Sequence, residues 1–148
     1  MNIVVFGAGG QVGRELPAVL EPLGRVLAVG RAEADFTRPD EVAALVERVR
    51  PDVVVNAAAY TAVDRAEAEP ELARLANAES VGAIAGAVRD VGGLLVHYST
   101  DYVFDGSGDA PWREDDRPAP LNAYGKSKLE GERAVLELVD RTGAPHLL

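Results

Sequence analysis

The chain has no cysteine. That excludes a disulfide framework, a thiolate zinc site and a catalytic thiol, and it suits a reducing compartment. Aromatic residues make up only 5% of its 148 residues, so stacking platforms for nucleic-acid bases are scarce. Basic side chains are outnumbered, 15 Lys and Arg against 24 Asp and Glu, for a net charge of −9. A phosphate backbone would meet a repulsive field, so no nucleic-acid partner is expected. No apolar run reaches the roughly 18 residues of a membrane span. Met1-Asn2-Ile3 lacks the basic and apolar regions of a signal peptide. No membrane partner is expected, and a cytoplasmic location is. What is present is a chain of single-domain length with 47% hydrophobic residues, able to bury roughly 70% of the surface its unfolded form exposes.

Four short apolar runs punctuate it: Ile3–Phe6, Val26–Val29, Val53–Val55 and Leu94–Tyr98. The first, third and fourth show no polar alternation, the pattern of strands buried on both faces of a parallel sheet. Between the runs, apolar residues recur at helical spacing. Val12, Leu16, Val19, Leu20 and Leu23 form one set, and Val42, Leu45, Val46 and Val49 a second. A third, from about Pro70 to Val91, carries Leu72, Leu75, Ala76, Val81, Ile84, Ala85 and Val88. Thr37 and Pro39 are expected to open the second helix as cap and first-turn proline. The order β-α-β-α-β-α-β-α predicts an α/β fold, a Rossmann-like doubly wound parallel sheet with helices on both faces. Its weak element is the second strand, between Arg25 and Gly30. Ser99–Asn122, with Gly106, Gly108, Pro111, Pro118 and Pro120, breaks the rhythm as a long functional loop. A last helix is expected over Ala123–Asp140, stopped by Thr142-Gly143-Ala144-Pro145. His146-Leu147-Leu148 read as the start of a fifth strand that is not completed.

Phe6-Gly7-Ala8-Gly9-Gly10-Gln11-Val12-Gly13 follows the first strand directly. Gly7 permits a tight turn, Gly10 lets a pyrophosphate approach the backbone, and Gly13 lets helix and strand pack closely. The helix N-terminus adds N–H donors and partial positive charge. The strand before and helix after favour a dinucleotide site over a turn that merely needs small residues. At the end of the second strand, where an acid ordinarily takes the ribose hydroxyls, stand Gly30-Arg31. The missing acid and the guanidinium predict NADPH over NADH, unless Arg31 is an ordinary solvated side chain. Asp35 and Phe36 follow, placed to touch an adenine. Tyr124 and Lys128 stand four apart on the last helix and share a face. An ammonium there would lower the phenol's pKa by roughly 1–3 units and make it a usable proton donor; the lysine can also hold cofactor ribose hydroxyls. A surface Tyr-Lys pair would show the same spacing. Tyr98-Ser99-Thr100-Asp101 lie at the carboxyl end of the fourth strand, where such sheets bind ligands. Their hydroxyls suit a substrate carbonyl, or cap the strand end as a plain turn. Asn56-Ala57-Ala58-Ala59, after the third strand, admit a cofactor closely or simply pack tightly.

Together these residues resemble the extended short-chain dehydrogenase/reductase family. Gly7–Gly13 with Gln11-Val12, Val55–Asp64, His97–Phe104 and Ala119–Gly125 are similar to the dTDP-4-dehydrorhamnose reductases within it, over essentially the whole chain. The resemblance implies Thr100, Tyr124 and Lys128 as a catalytic trio, with Thr100 and Asp101 at the sugar. It implies Gly10, Gln11, Val12, Asp35, Phe36, Ala59, Tyr60, Thr61 and Tyr98 as cofactor contacts, beside Gly7, Gly13, Arg31, Tyr124 and Lys128. Glu15 matches a glutamate that binds Mg²⁺ at a homodimer interface, its partner ligands lying beyond residue 148. The family continues past Lys128 with further strands and a substrate-binding lobe. Residues 1–148 are therefore expected to be an incomplete NAD(P)-binding domain, the N-terminal part of the enzyme, without that lobe and inactive alone. The implied enzyme reduces the C4 ketone of a dTDP-4-keto-6-deoxy sugar, dTDP-6-deoxy-L-lyxo-4-hexulose, to dTDP-L-rhamnose with NADPH or NADH. The alternative is a non-catalytic regulatory partner resembling the methionine adenosyltransferase β subunit, which has patterns similar to Asp101–Gly106 and Pro120–Lys126.

Overall fold

The apolar runs form strands because their β-branched residues fill both faces of one sheet. The computed structural model describes residues 1–148. Its strands are β1 (Asn2–Phe6), β2 (Arg25–Val29), β3 (Val53–Asn56), β4 (Leu94–His97) and β5 (His146–Leu147), all parallel, in the order β2-β1-β3-β4-β5. The helices are α1 (Gln11–Leu20), α2 (Pro39–Val49), α3 (Val63–Ala68), α4 (Pro70–Arg74), α5 (Ser80–Val91) and α6 (Ala123–Thr142).

Alternation along the strands divides the core. Val4, Phe6, Val54 and Leu95 share one face and pack with Val42, Leu45 and Val46 of α2, Val81, Ile84 and Val88 of α5, and Val135 of α6. Ile3, Val5 and Val55 take the other face, against Leu16 and Leu20 of α1. The chain thus leaves β1 over one face and returns from β2 over the other. The crevice where these directions diverge lies between β1 and β3, at their carboxyl ends. Register levels those ends: Phe6 pairs with Val29 and Asn56, and Asn56 with His97.

Several expectations need correction. Thr37 does not cap α2: its N–H and hydroxyl both turn to the Asp35 carboxylate, and Arg38 occupies the cap without a side-chain bond. Pro39 does open the helix. The segment Pro70–Val91 is not one α-helix, because a π-helical turn over Leu75–Glu79 joins α4 to α5. Ser99–Asn122 holds one short 3-10 turn, Asp101–Val103, and a stacked pair, Phe104 on Trp112 at 4.7 Å. The last helix runs to Thr142 before Gly143 turns left-handed. The fifth strand does form, pairing His146 with Leu95 and Leu147 with Val96. β2 lies at the sheet's edge, which explains its weak apolar signal.

Candidate functional site

The glycine turn sits at the β1–β3 crevice. Gly7 has φ +83°, and a Cβ on it would meet the Ala57 carbonyl and the Ala58 nitrogen at 2.7 Å. A Cβ on Gly13 would strike the Gly7 carbonyl. Both glycines are therefore demanded by the close approach of α1, the turn and the chain leaving β3. Gly10 is exposed and takes the cap position of α1 in extended conformation, with no side chain capping the helix. Gln11 and Val12 are exposed beside it. An open, uncapped N-terminus fits the diphosphate of a dinucleotide, since its N–H groups point outward and carry partial positive charge.

At the end of β2 the structure corrects the reading that no acid is present. The Glu33 carboxylate folds back and accepts the Gly30 N–H at 2.9 Å. It stands near the exposed Arg31, so attraction and repulsion for a phosphate meet at one strand end. Asp35 is already engaged: the Thr37 N–H and hydroxyl, each at 2.9 Å, hold its carboxyl below the usual range, with Arg31 adding a smaller effect. Phe36 sets its ring edge-on to Phe6, with centroids 5.4 Å apart. The Ser80 hydroxyl donates to its carbonyl at 2.8 Å.

The chain after β3 is pinned by two buried asparagines. Asn56 Oδ1 accepts the Ala58 N–H at 3.0 Å. Asn77, in the π-helical turn, accepts the Tyr60 N–H at 2.8 Å and donates to the Tyr60 carbonyl at 3.0 Å. It also donates to the Ser127 hydroxyl at 2.9 Å, which in turn donates a hydrogen bond to the Tyr124 carbonyl at 2.7 Å. Asn77 thus ties Ala59-Tyr60-Thr61 to α6. Sequence reading missed it; a lone amide in an alanine-rich helix was the available signal. The Tyr60 hydroxyl donates to Glu69 at 2.6 Å, and that bond pushes its phenol pKa up.

The first turn of α6 is capped twice. Asn122 Oδ1 accepts from the Gly125 N–H at 2.7 Å, and Glu67 of α3 from the Ala123 N–H at 2.6 Å. These caps fix Tyr124 and Lys128 on the buried side of the helix. Tyr124 lies edge-on to Tyr102, centroids 5.5 Å apart. Burial pushes its phenol above the ordinary value, the Thr100 hydroxyl opposes this, and Asp101 and Tyr102 add to it. The Thr100 hydroxyl also accepts the Tyr102 N–H at 3.3 Å and lies 3.3 Å from the Asp101 carboxylate.

Lys128 departs from expectation. Its ammonium was to lower the Tyr124 pKa, but Nζ donates to the Tyr98 carbonyl at 2.5 Å and lies 3.4 Å from His97 Nε2. It shares a helix face with Tyr124 but reaches past it to the end of β4. Burial pushes Lys128 down to about 8 and His97 down to about 3, the latter also repelled by Lys128. Tyr124 consequently keeps its proton at neutral pH, as a donor must. Tyr98 is exposed at the strand end.

The structure thus brings Gly7–Gly13, Ala59–Thr61, Tyr98–Asp101, Tyr124 and Lys128 to the carboxyl ends of β1, β3 and β4, with Arg31, Asp35 and Phe36 beyond β2. Glu15 stands apart, exposed on α1, and no group of three or more metal-binding side chains forms in the chain.

The family model described as RmlD substrate binding domain matches residues 1–143. A dTDP-4-dehydrorhamnose reductase of Escherichia coli (strain K12) is 55% identical over 141 residues, 93% of this chain and 47% of that protein. The solved structure of a Clostridium acetobutylicum dTDP-4-dehydrorhamnose reductase matches with a TM-score of 0.89 at 41% identity, covering 93% of this chain and 50% of the other. That of Bacillus anthracis, in complex with NADP, matches with a TM-score of 0.87 at 39% identity, over 93% and 49%. The chain spans about half the length of these relatives. Because the match runs from β1 to the end of α6, this chain belongs to the RmlD substrate binding domain family, that of the dTDP-4-dehydrorhamnose reductases.

Proposed function

We propose that residues 1–148 act as the cofactor-binding portion of an NADPH-dependent reductase. Its substrate would be the dTDP-4-keto-6-deoxy sugar whose C4 ketone becomes the hydroxyl of dTDP-L-rhamnose. The observation that carries the reading is the buried Tyr124–Lys128 face of α6, set at the same end of the sheet as the uncapped start of α1. The N–H groups at Gly10-Gln11-Val12 would hold the diphosphate, and Gly7 and Ala57–Thr61 would floor the crevice. Lys128 would hold ribose hydroxyls. A bound nicotinamide supplies a hydride. Tyr124, whose pKa is raised by burial, gives its proton to the ketone oxygen as charge develops there. Thr100 hydrogen-bonds that oxygen, and Asp101 is placed to contact the sugar.

The Bacillus anthracis relative, in complex with NADP, supports this cofactor. Arg31 favours the 2′-phosphate, and Glu33 opposes it. No observation favours the regulatory-partner reading. The 148 residues assayed alone should turn over little substrate, because positioning supplies much of an enzyme's rate.

In a chain extended to its relatives' length, Tyr124→Phe should lower kcat by about 10²–10⁴-fold. NADPH affinity should stay near wild type, because the phenol is needed only as the oxygen takes its proton. Stopped-flow NADPH oxidation with the 4-keto sugar measures this; near-normal turnover would remove Tyr124 from the reaction.

A further inference from the structure

His97 has no part in the chemistry above, yet it is 2% exposed, as is Lys128, and it ends β4 directly opposite Asn56. Its two ring nitrogens face two different groups: Nδ1 lies 3.1 Å from Asn56 Nδ2, and Nε2 lies 3.4 Å from Lys128 Nζ. The protons along this row are not independent. The Ala58 N–H can only donate, so it fixes Asn56 Oδ1 as its acceptor and turns Nδ2 toward the ring. Nδ2 can only donate in turn, so His97 Nδ1 must accept. A neutral imidazole carries one proton, which therefore sits on Nε2 and points at Lys128. A lysine amine can accept it; an ammonium has only donors.

We propose that His97 is a positioning residue that acts through Lys128: the proton on its Nε2 and the third proton of the ammonium exclude one another, so the Asn56–His97 pair governs the charge Lys128 brings to the site. Lys128 becomes an ammonium only as His97 moves its proton to Nδ1, against the Asn56 donor. The surrounding groups are few. Glu132, one turn further along α6 and bonded to the Ser99 hydroxyl, favours the ammonium. Tyr124, one turn earlier, keeps its phenol neutral, and Asp101 and Tyr102 face Tyr124. The burial that pushes Lys128 down to about 8 acts in the same direction as the His97 contact. The importance of this coupling to turnover rests on the function proposed above; the coupling itself needs no cofactor.

The chain is well suited to a direct test, since it has two lysines, Lys126 and Lys128, and two histidines, His97 and His146. Nitrogen-15 spectra of the imidazoles and carbon-13 spectra of the lysine Cε groups are recorded on the 148-residue chain from pH 6 to 10. Lys128 should titrate near or below pH 8, and His97 should change from the Nδ1–H to the Nε2–H tautomer with the same midpoint. In His97→Gln the amide can turn its oxygen to the ammonium, so the Lys128 midpoint should rise by about one pH unit or more. A His97 that keeps one tautomer while Lys128 titrates would overturn the proposal, as would a Lys128 that titrates with Lys126. The wild-type spectra decide the matter if the variant does not fold. NADPH affinity measured over the same pH range separates the two readings: tautomer coupling without any change in affinity at that midpoint would retain the His97 proposal and remove Lys128 from the cofactor site.

Discussion

Gly13 has no room for a methyl group, because the Gly7 carbonyl already occupies the place its Cβ would take. Gly13→Ala should therefore destabilise the chain by roughly 1–3 kcal/mol, the range for overpacking a tight contact. Gly9→Ala, where the added atom meets open space, should stay near wild type; urea unfolding of the two variants measures the difference. At the end of β2, Arg31 and Glu33 make opposed predictions. Arg31→Ala should narrow a preference for NADPH over NADH, and Glu33→Gln should widen it, by less than about tenfold because both side chains are exposed. Competitive titrations with both cofactors check this, and unchanged ratios in both variants would leave the pair without a part in cofactor choice. The glycines, Tyr124 and Lys128 were legible in the sequence because their meaning lies in local spacing. Asn56, Asn77 and His97 carry meaning only through partners brought by the fold. Asn77 finds Ser127 across 50 residues, and His97 finds Lys128 across 31.

Among the elements, α6 bears most of the proposed chemistry, and its position depends on its first turn. Asn122→Ala removes the side-chain acceptor of the Gly125 N–H and should cost about 1 kcal/mol. Glu67→Gln keeps an oxygen for the Ala123 N–H but loses a charge next to the helix's positive end; it should cost roughly 0.3–1 kcal/mol, less in salt. Thermal unfolding at two ionic strengths separates them, and a salt-independent Glu67→Gln effect would contradict the electrostatic account. Strands β1, β3 and β4 were readable because burial on both faces leaves unbroken apolar runs. The short α3 was not, because its 6 residues are too few to establish a helical period. Thr37 misled for a related reason: a hydroxyl before Pro39 looks like a cap, but the nearer Asp35 carboxylate is the stronger partner.

For the whole molecule, the two buried bases set opposite ends of a pH profile. His97 falls from an ordinary 6.5 to about 3 on folding. Between those values the unfolded chain holds more protons than the folded one, so stability is lost as pH falls through that window. Lys128 falls from 10.5 to about 8, so its burial costs stability below pH 8, and the cost is relieved as pH rises toward 10.5. Each slope is at most about 1.4 kcal/mol per pH unit. Denaturant titrations across pH should show both, with His97→Gln removing its share of the acid slope and Lys128→Met the alkaline one. An alkaline slope that survives Lys128→Met would place its source elsewhere. The family match spans the length over which the sequence patterns were read. The cofactor site proposed above lies wholly in the β1–β3 crevice and on the α6 face. Calorimetric titration of NADPH into the folded 148-residue chain is therefore the most direct measurement: the account predicts saturable one-site binding that weakens in Lys128→Ala, and no saturable binding of NADPH or NADH by a chain with native circular dichroism would contradict it.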